Sequence, residues 1–145
     1  MYFVDQRKIE ETLSYMEQIL NEVQHQKVSS FKDKLFLERA AEVMIESMLD
    51  VGNMMIDGFI MRDPGSFEDI IDILIDEKVL PESDEAGYKE MIGLRKMVVK
   101  DYLMVDHDRL NSTIERQWEL LAQFSSHIRR YLADESGVAN AFSND

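Results

Sequence analysis

The sequence predicts an all-α protein, an up-and-down bundle of about five helices, on three observations. Six glycines and two prolines in 145 residues fall well below the roughly 12% of average chains, which leaves too few turn formers for a β-sandwich or barrel. Apolar residues recur at steps of three and four along most of the chain, the period of an amphipathic helix. Hydrophobic residues make up 45% of the chain, enough for a core, so the net charge of −13 belongs to a folded surface and not to a disordered acidic tail.

Asp5 is a fit N-cap for a first helix that carries Ile9, Leu13, Met16, Leu20 and Val23 on one face. Polar residues from His25 to Ser30 read as a loop. A second helix runs over residues 31–61, about 45 Å at 1.5 Å per residue, until Asp63-Pro64-Gly65 stops it. Ser66 then caps a short third helix, with Asp69 in its first turn and Phe67, Ile70, Ile71 and Leu74 on one side. Pro81 to Ser83 opens a fourth helix over residues 84–103. Asp106 caps a fifth, which carries Leu110, Ile114, Trp118, Leu121, Ile128 and Leu132 and ends near Ala133. The expectation is one domain over residues 1–135 and a frayed polar tail over residues 136–145.

The absences narrow the setting. Without cysteine there is no disulfide framework, thiolate zinc site or cysteine nucleophile. The first residues lack the apolar core of a signal peptide, and no stretch approaches the about 18 apolar residues of a membrane span, so a cytoplasmic protein is expected. A charge of −13 argues against coating nucleic acid or an anionic membrane nonspecifically, which needs a basic face, and neither DNA nor a membrane is an expected partner. A small basic site on an acidic body stays compatible with it.

Two helices depart from the plain amphipathic pattern. On the second, Leu37, Ala41, Met44, Ile45, Met48, Leu49, Met55, Ile56, Phe59 and Ile60 cover most of the circumference, which places it centrally or at a subunit interface. Against them runs one polar line, Arg39, Glu42, Glu46, Asp50, Asn53 and Asp57, within roughly 80° on the helical wheel. It reads as a solvated edge on which Arg39 pairs with Glu42, or as a seam lining a cleft whose carboxylates need a cationic partner. On the fourth helix Arg95 stands in an apolar stripe of Met91, Val98, Val99 and Tyr102 spanning roughly 100°. Such an arginine is paired in the interior, lies at an interface, or works in a site. Lys100 falls about 140° from it, on the rim.

The segment Gly93-Leu94-Arg95-Lys96-Met97-Val98-Val99-Lys100-Asp101-Tyr102-Leu103-Met104-Val105-Asp106 resembles the signature of the HepT-like branch of the HEPN superfamily. There the pattern is arginine, a polar residue, three residues, histidine, one residue, tyrosine. Met48-Leu49-Asp50-Val51-Gly52-Asn53-Met54-Met55-Ile56 is similar to the family's helix-two motif, and the likeness covers nearly the whole chain. The resemblance implies a homodimeric helical bundle. Active members are metal-independent ribonuclease toxins with arginine and histidine in a cleft at the dimer interface. They are often partnered with a small nucleotidyltransferase antitoxin, which can modify the motif tyrosine. Residue by residue, Arg95 matches the arginine, Lys96 the polar residue and Tyr102 the tyrosine. Lys100 stands where the family has histidine.

Metal-free RNA cleavage needs a base for the 2′-hydroxyl proton and a cation for the phosphorane charge. An ordinary lysine, with a pKa of about 10.4, is free base in roughly one molecule per 2,500 at pH 7. Unless burial lowers it by about three pKa units, Lys100 is a poor base, yet it can clamp a phosphate. The expected site is therefore an anion-binding patch of Arg95, Lys96 and Lys100, with Tyr102 as a positioning or modified hydroxyl and Asp50 and Asn53 orienting Arg95, within a subunit or across the dimer. No metal or other cofactor is expected, and the expected ligand is RNA at the dimer cleft or a protein partner. His25, His107 and His127 read as surface or terminus residues. One alternative is an active metal-independent ribonuclease toxin. A second is a metal-dependent nucleotide hydrolase using Glu42, Glu46 and Asp50, which follow one another at steps of four.

Overall fold

The computed structural model describes residues 3–135 and 140–143. Each of the four longer helices starts at a side chain that caps it. Asp5 accepts from the Arg7 backbone N–H at 2.9 Å to open α1 (Gln6–Gln24). Ser30 and Asp33 form a capping box that opens α2 (Phe31–Gly58), and the backbone N–H groups of Ser30 and Ser29 hold the Asp33 carboxyl down at about 2. Ser66 caps α3 (Phe67–Asp76). Two shorter helices follow, α4 (Glu85–Ile92) and α5 (Arg95–Val99), before Asp106 caps α6 (His107–Asp134). A cap of this kind contributes about 1 kcal/mol. Single 3-10 turns lie at Glu82–Asp84 and Tyr102–Met104.

The protein is all-α, and α2 is its centre. It packs against α1, α3, α5 and α6, and Leu37, Met44, Ile45, Met48, Met55 and Ile56 are buried around it, as its all-round apolar pattern predicts. Gly52 lets α3 come close, since a Cβ there would stand 2.5 Å from the Ile70 side chain. The faces predicted for the first and last helices are buried at Ile9, Leu13, Met16, Leu20, Leu110, Ile114, Leu121 and Ile128. Arg129 of α6 reaches Glu10 and Glu17 of α1 at 2.7 and 2.8 Å, and the Trp118 indole donates to the Leu20 carbonyl at 3.2 Å.

Three expectations change. The second helix ends at Gly58 and not at residue 61. Ile60 takes a left-handed conformation with φ 56°, while the Met61 N–H bonds the Ile56 carbonyl at 2.9 Å and the Ile60 N–H bonds that of Asp57. This is a Schellman ending, complete before Asp63-Pro64-Gly65 is reached.

The expected fourth helix over residues 84–103 is broken into a 3-10 turn, α4, α5 and a second 3-10 turn. At the break the Leu94 N–H bonds the Met91 carbonyl three residues back. That tightening rotates Leu94 into the core, where it is fully buried, and leaves Gly93 exposed. The stripe drawn through Met91, Arg95 and Tyr102 therefore does not exist as one face; Tyr102 is 65% exposed.

Part of the expected frayed tail is packed. Val4 and Phe142 form an isolated parallel bridge, with the Val4 N–H on Ala141 and the Ser143 N–H on Val4, both at 2.8 Å. The Phe142 ring is buried against Gly58, where a Cβ would overlap it, and meets the Phe59 ring edge-on at 4.9 Å. Residues 136–139 and 144–145 lie outside the described residues.

The left-handed conformation costs an L-residue with a Cβ about 1–2 kcal/mol, and glycine carries no such cost. Ile60 is 68% exposed, so replacing it removes little packing. Ile60→Gly is expected to raise stability by about 1 kcal/mol, after glycine's greater freedom in the unfolded chain is subtracted. Urea unfolding measures it, and an unchanged or lowered midpoint would show that Ile60 is not strained.

Candidate anion-binding site

Arg95 opens α5 directly after the buried Leu94, and its side chain reaches both α2 and α3. Its Nε donates to Oε1 of Glu46 at 2.5 Å, and its guanidinium carbon lies 4.5 Å from the centroid of the Phe67 ring. A cation–π contact of this kind contributes about 0.5–1 kcal/mol where solvent has access. Among the described residues the two terminal nitrogens of Arg95 have no protein acceptor. Held at Nε and stacked on one face, the arginine keeps a planar pair of donors available to an anion.

The polar line of α2 divides. Arg39 pairs with Glu42 at 3.0 Å, as the solvated-edge reading expects, while Glu46 receives Arg95 as the seam reading expects. Asp50, Asn53 and Asp57 are exposed. Among the described residues of one chain Arg95 is held by Glu46 and Phe67, with no hydrogen bond or ion pair to Asp50 or Asn53. Asp50 feels the pair indirectly: partial desolvation first, then the Glu46 charge, push its carboxyl above the usual range, while Lys8 pulls it down. Glu42 and Glu46, two of the three carboxylates of the metal-hydrolase reading, are each held by an arginine. Among the described residues no three His, Asp or Glu side chains stand together to share an ion.

Two clefts meet at Lys100. One, of about 360 Å³, is lined by Phe67, Glu68, Ile92, Gly93, Arg95, Lys96 and Lys100. The other, of about 640 Å³, is lined by Met97, Lys100, Asp101, Tyr102, Leu103, Met104, Asp106 and Arg109. The structure thus brings Arg95, Lys96 and Lys100 to one cleft and places Tyr102 in the next. Lys96 lies 3.4 Å from Asp101, whereas Lys100 is exposed and has no carboxylate within 4 Å among the described residues. No histidine lines either cleft. His25 ends α1, and His107 Nε2 lies 2.8 Å from Glu38. His127 is more enclosed than a surface histidine, its Nε2 buried without a hydrogen bond and 4.0 Å from Asp84.

In the sequence Glu46 lies on the polar line of the second helix and Phe67 on the apolar side of the third, and no local signal joins either to Arg95. Arg109 carries one local signal, its place in the first turn after the Asp106 cap.

A family model described as Ribonuclease HepT-like matches residues 9–128. A relative named "Putative RNase YutE", from Bacillus subtilis (strain 168), is 46% identical over 143 residues, which is 98% of this chain and 99% of the relative. The structure of YutE, a cytosolic protein of unknown function from Bacillus subtilis, matches with a TM-score of 0.91 at 45% identity, over 98% of this chain and 100% of that one. A toxin–antitoxin crystal structure with AMP-PNP shares the fold at a TM-score of 0.72 and 18% identity, over 83% of this chain and 96% of that one.

Glu46→Gln keeps the shape of the Arg95 contact and removes a charge. The Asp50 carboxyl is expected to titrate lower in this variant, read by carboxyl NMR; an unmoved Asp50 would exclude Glu46 as a source of its shift.

His127 supplies a pH dependence. Burial first and the Arg130 charge second hold its pKa below 6.5, with Asp84 opposing. The unfolded chain therefore takes up this proton first as pH falls. The contribution is full above about pH 6.5 and is lost as pH drops toward the folded value. Unfolding midpoints at about pH 7.5 and about pH 5.5 should differ less in His127→Gln than in the wild type; equal differences would remove His127 as the cause.

Proposed function

The chain belongs to the ribonuclease HepT-like family, and on that premise we propose that its Arg95–Lys100 segment is a phosphate-binding site for RNA or a protein partner that lacks the acid–base half of ribonuclease chemistry. The observation that carries this is the content of the two clefts. Their nitrogen-bearing side chains are arginine and lysine, with Lys100 at the motif's histidine position and no histidine in either lining. Such a site supplies cations to a phosphate and no imidazole to take and return a proton near neutral pH; the other acid–base groups in the linings are Tyr102 and the carboxylates Glu68, Asp101 and Asp106. The setting of Arg95, with Nε on Glu46 and its face on Phe67, supports a fork fixed before the anion arrives.

The proposal extends to assembly. As the resemblance implies, two copies would associate with α2 and the α4–α5 segment near the two-fold axis, and the exposed Phe67 beside Arg95 supports an apolar contact there. A monomer by light scattering would remove the composite cleft. Tyr102, 65% exposed on its 3-10 turn, is accessible to a modifying nucleotidyltransferase antitoxin, and a toxin–antitoxin structure of the same fold is in keeping with such a partner. No described helix is long and apolar enough to cross a membrane, and the similar Bacillus structure is of a cytosolic protein, which supports a cytoplasmic setting.

A second reading, an active metal-independent endoribonuclease toxin, is favoured by the name of the 46% identical relative. One assay separates the two: RNA cleavage by wild type, Arg95→Ala and Lys100→His, with chelator present. The phosphate-binding reading expects no cleavage by the wild type above the Arg95→Ala blank, and a gain in Lys100→His. Wild-type cleavage that Arg95→Ala abolishes would establish the second reading in its place.

A further inference from the structure

Arg109 is the arginine the fold does not use. Arg7, Arg39, Arg62, Arg95, Arg116 and Arg129 each pair with a carboxylate, and Arg130 donates to the Val79 carbonyl. Among the described residues the Arg109 guanidinium has neither hydrogen bond nor ion pair; only its backbone N–H is engaged, by Asp106. In a chain with 29 acidic residues, that reflects placement and not a shortage of partners.

The placement is specific. Arg109 lines the cleft of about 640 Å³ together with Lys100, and neither side chain has a carboxylate partner among the described residues. The carboxylates of this cleft are engaged elsewhere, Asp101 by Lys96 and Asp106 by the start of α6. Its apolar wall is Tyr102, Leu103 and Met104, which are 65, 87 and 83% exposed. Three consecutive large apolar side chains in water mark a binding surface. An apolar wall flanked by unpaired cations complements a strand of flat rings joined by phosphates. Lys100 also lines the Arg95 cleft, so a strand whose phosphate sits on Arg95 and Lys100 continues directly onto this wall.

We propose that the second cleft is a neighbouring-nucleotide subsite for single-stranded RNA, in which one base lies on Tyr102, Leu103 and Met104 and Arg109 takes the adjacent phosphate. The inference rests on the phosphate-binding reading of Arg95 and names its ligand. It favours RNA over a protein because the apolar wall shares its cleft with two cations, Lys100 and Arg109, that have no ion pair among the described residues.

The test is fluorescence anisotropy with a labelled single-stranded 2′-O-methyl RNA, which cannot be cleaved through its 2′-oxygen, titrated at several salt concentrations. Arg109→Ala should weaken binding about tenfold and reduce the salt slope by about 0.7, the share of one phosphate contact on a single strand. Arg109→Lys should keep the slope. Leu103→Ala/Met104→Ala should weaken binding about tenfold with the slope unchanged, since apolar contact area is lost and no phosphate contact is. All three variants alter exposed side chains, and thermal melting checks that they fold. Binding that needs Arg95 yet is indifferent to Arg109 and to Leu103/Met104 would overturn the subsite and leave the Arg95 reading standing. No binding by the wild type would overturn both. If Leu103→Ala/Met104→Ala changes the mass in light scattering and leaves RNA affinity alone, the wall is a protein interface and the subsite falls.

Discussion

Burial of α2 is the constraint from which the other elements take their places. A helix of 28 residues with apolar side chains on most of its circumference cannot rest on one neighbour, so α1, α6, α3 and α5 each cover a different side. What stays uncovered is the line from Arg39 to Asp57, and Arg95 enters the structure along it. Glu46 and Arg95, each partly exposed, meet across that edge from two different helices. Each supplies the other's partner, and Phe67 fixes the plane of the result. The candidate site is thus the one edge of the central helix that packing leaves open.

The acidity of the chain is organised around this arrangement. Asp5, Asp33, Asp69 and Asp106 accept backbone N–H groups at or near helix starts, where the helix dipole favours negative charge. Glu10, Glu17, Glu46 and Glu90 hold arginines that join separate helices. Carboxylates occupied in this way partly cancel the cations they touch. The Lys100 and Arg109 side chains, which form no ion pair among the described residues, keep their charge exposed in one cleft of an acidic molecule. A phosphate held there by exposed cations would be bound more weakly as salt rises.

The legible part of the fold was the part whose signals are local. Asp5, Ser30, Ser66 and Asp106 each announce a helix start within four residues, and α1, α2 and α6 are long enough for their periodicity to outweigh noise. The α4–α5 break was illegible because it depends on one side chain, Leu94, which gains more by turning into the core than by continuing the helical stripe. Helical spacing assigned Met91, Arg95 and Tyr102 to one face only on the assumption that the helix was unbroken. In the candidate site, the wheel set Glu46, Asp50 and Asn53 on the same line and had no means to choose among them. The choice is made by where α5 crosses α2, a tertiary fact. Arg109 stands out only once every other arginine has been assigned its partner.

The clasp between Val4 and Phe142 has a kinetic consequence. It joins the two ends of the described chain, as the Arg129–Glu10 and Trp118–Leu20 contacts of α1 with α6 also nearly do, and the chain between Val4 and Phe142 is a short loop only once those helices have docked. Loop-closure entropy delays such a contact in folding. Its docking slot, Gly58 with Phe59, also exists only after α2 has ended correctly. The clasp therefore forms after the bundle and opens before it, as a separate unit of lower stability. The amide protons of Val4, Ala141 and Ser143 would exchange with solvent through that partial opening while those of α2 wait for the whole molecule to unfold.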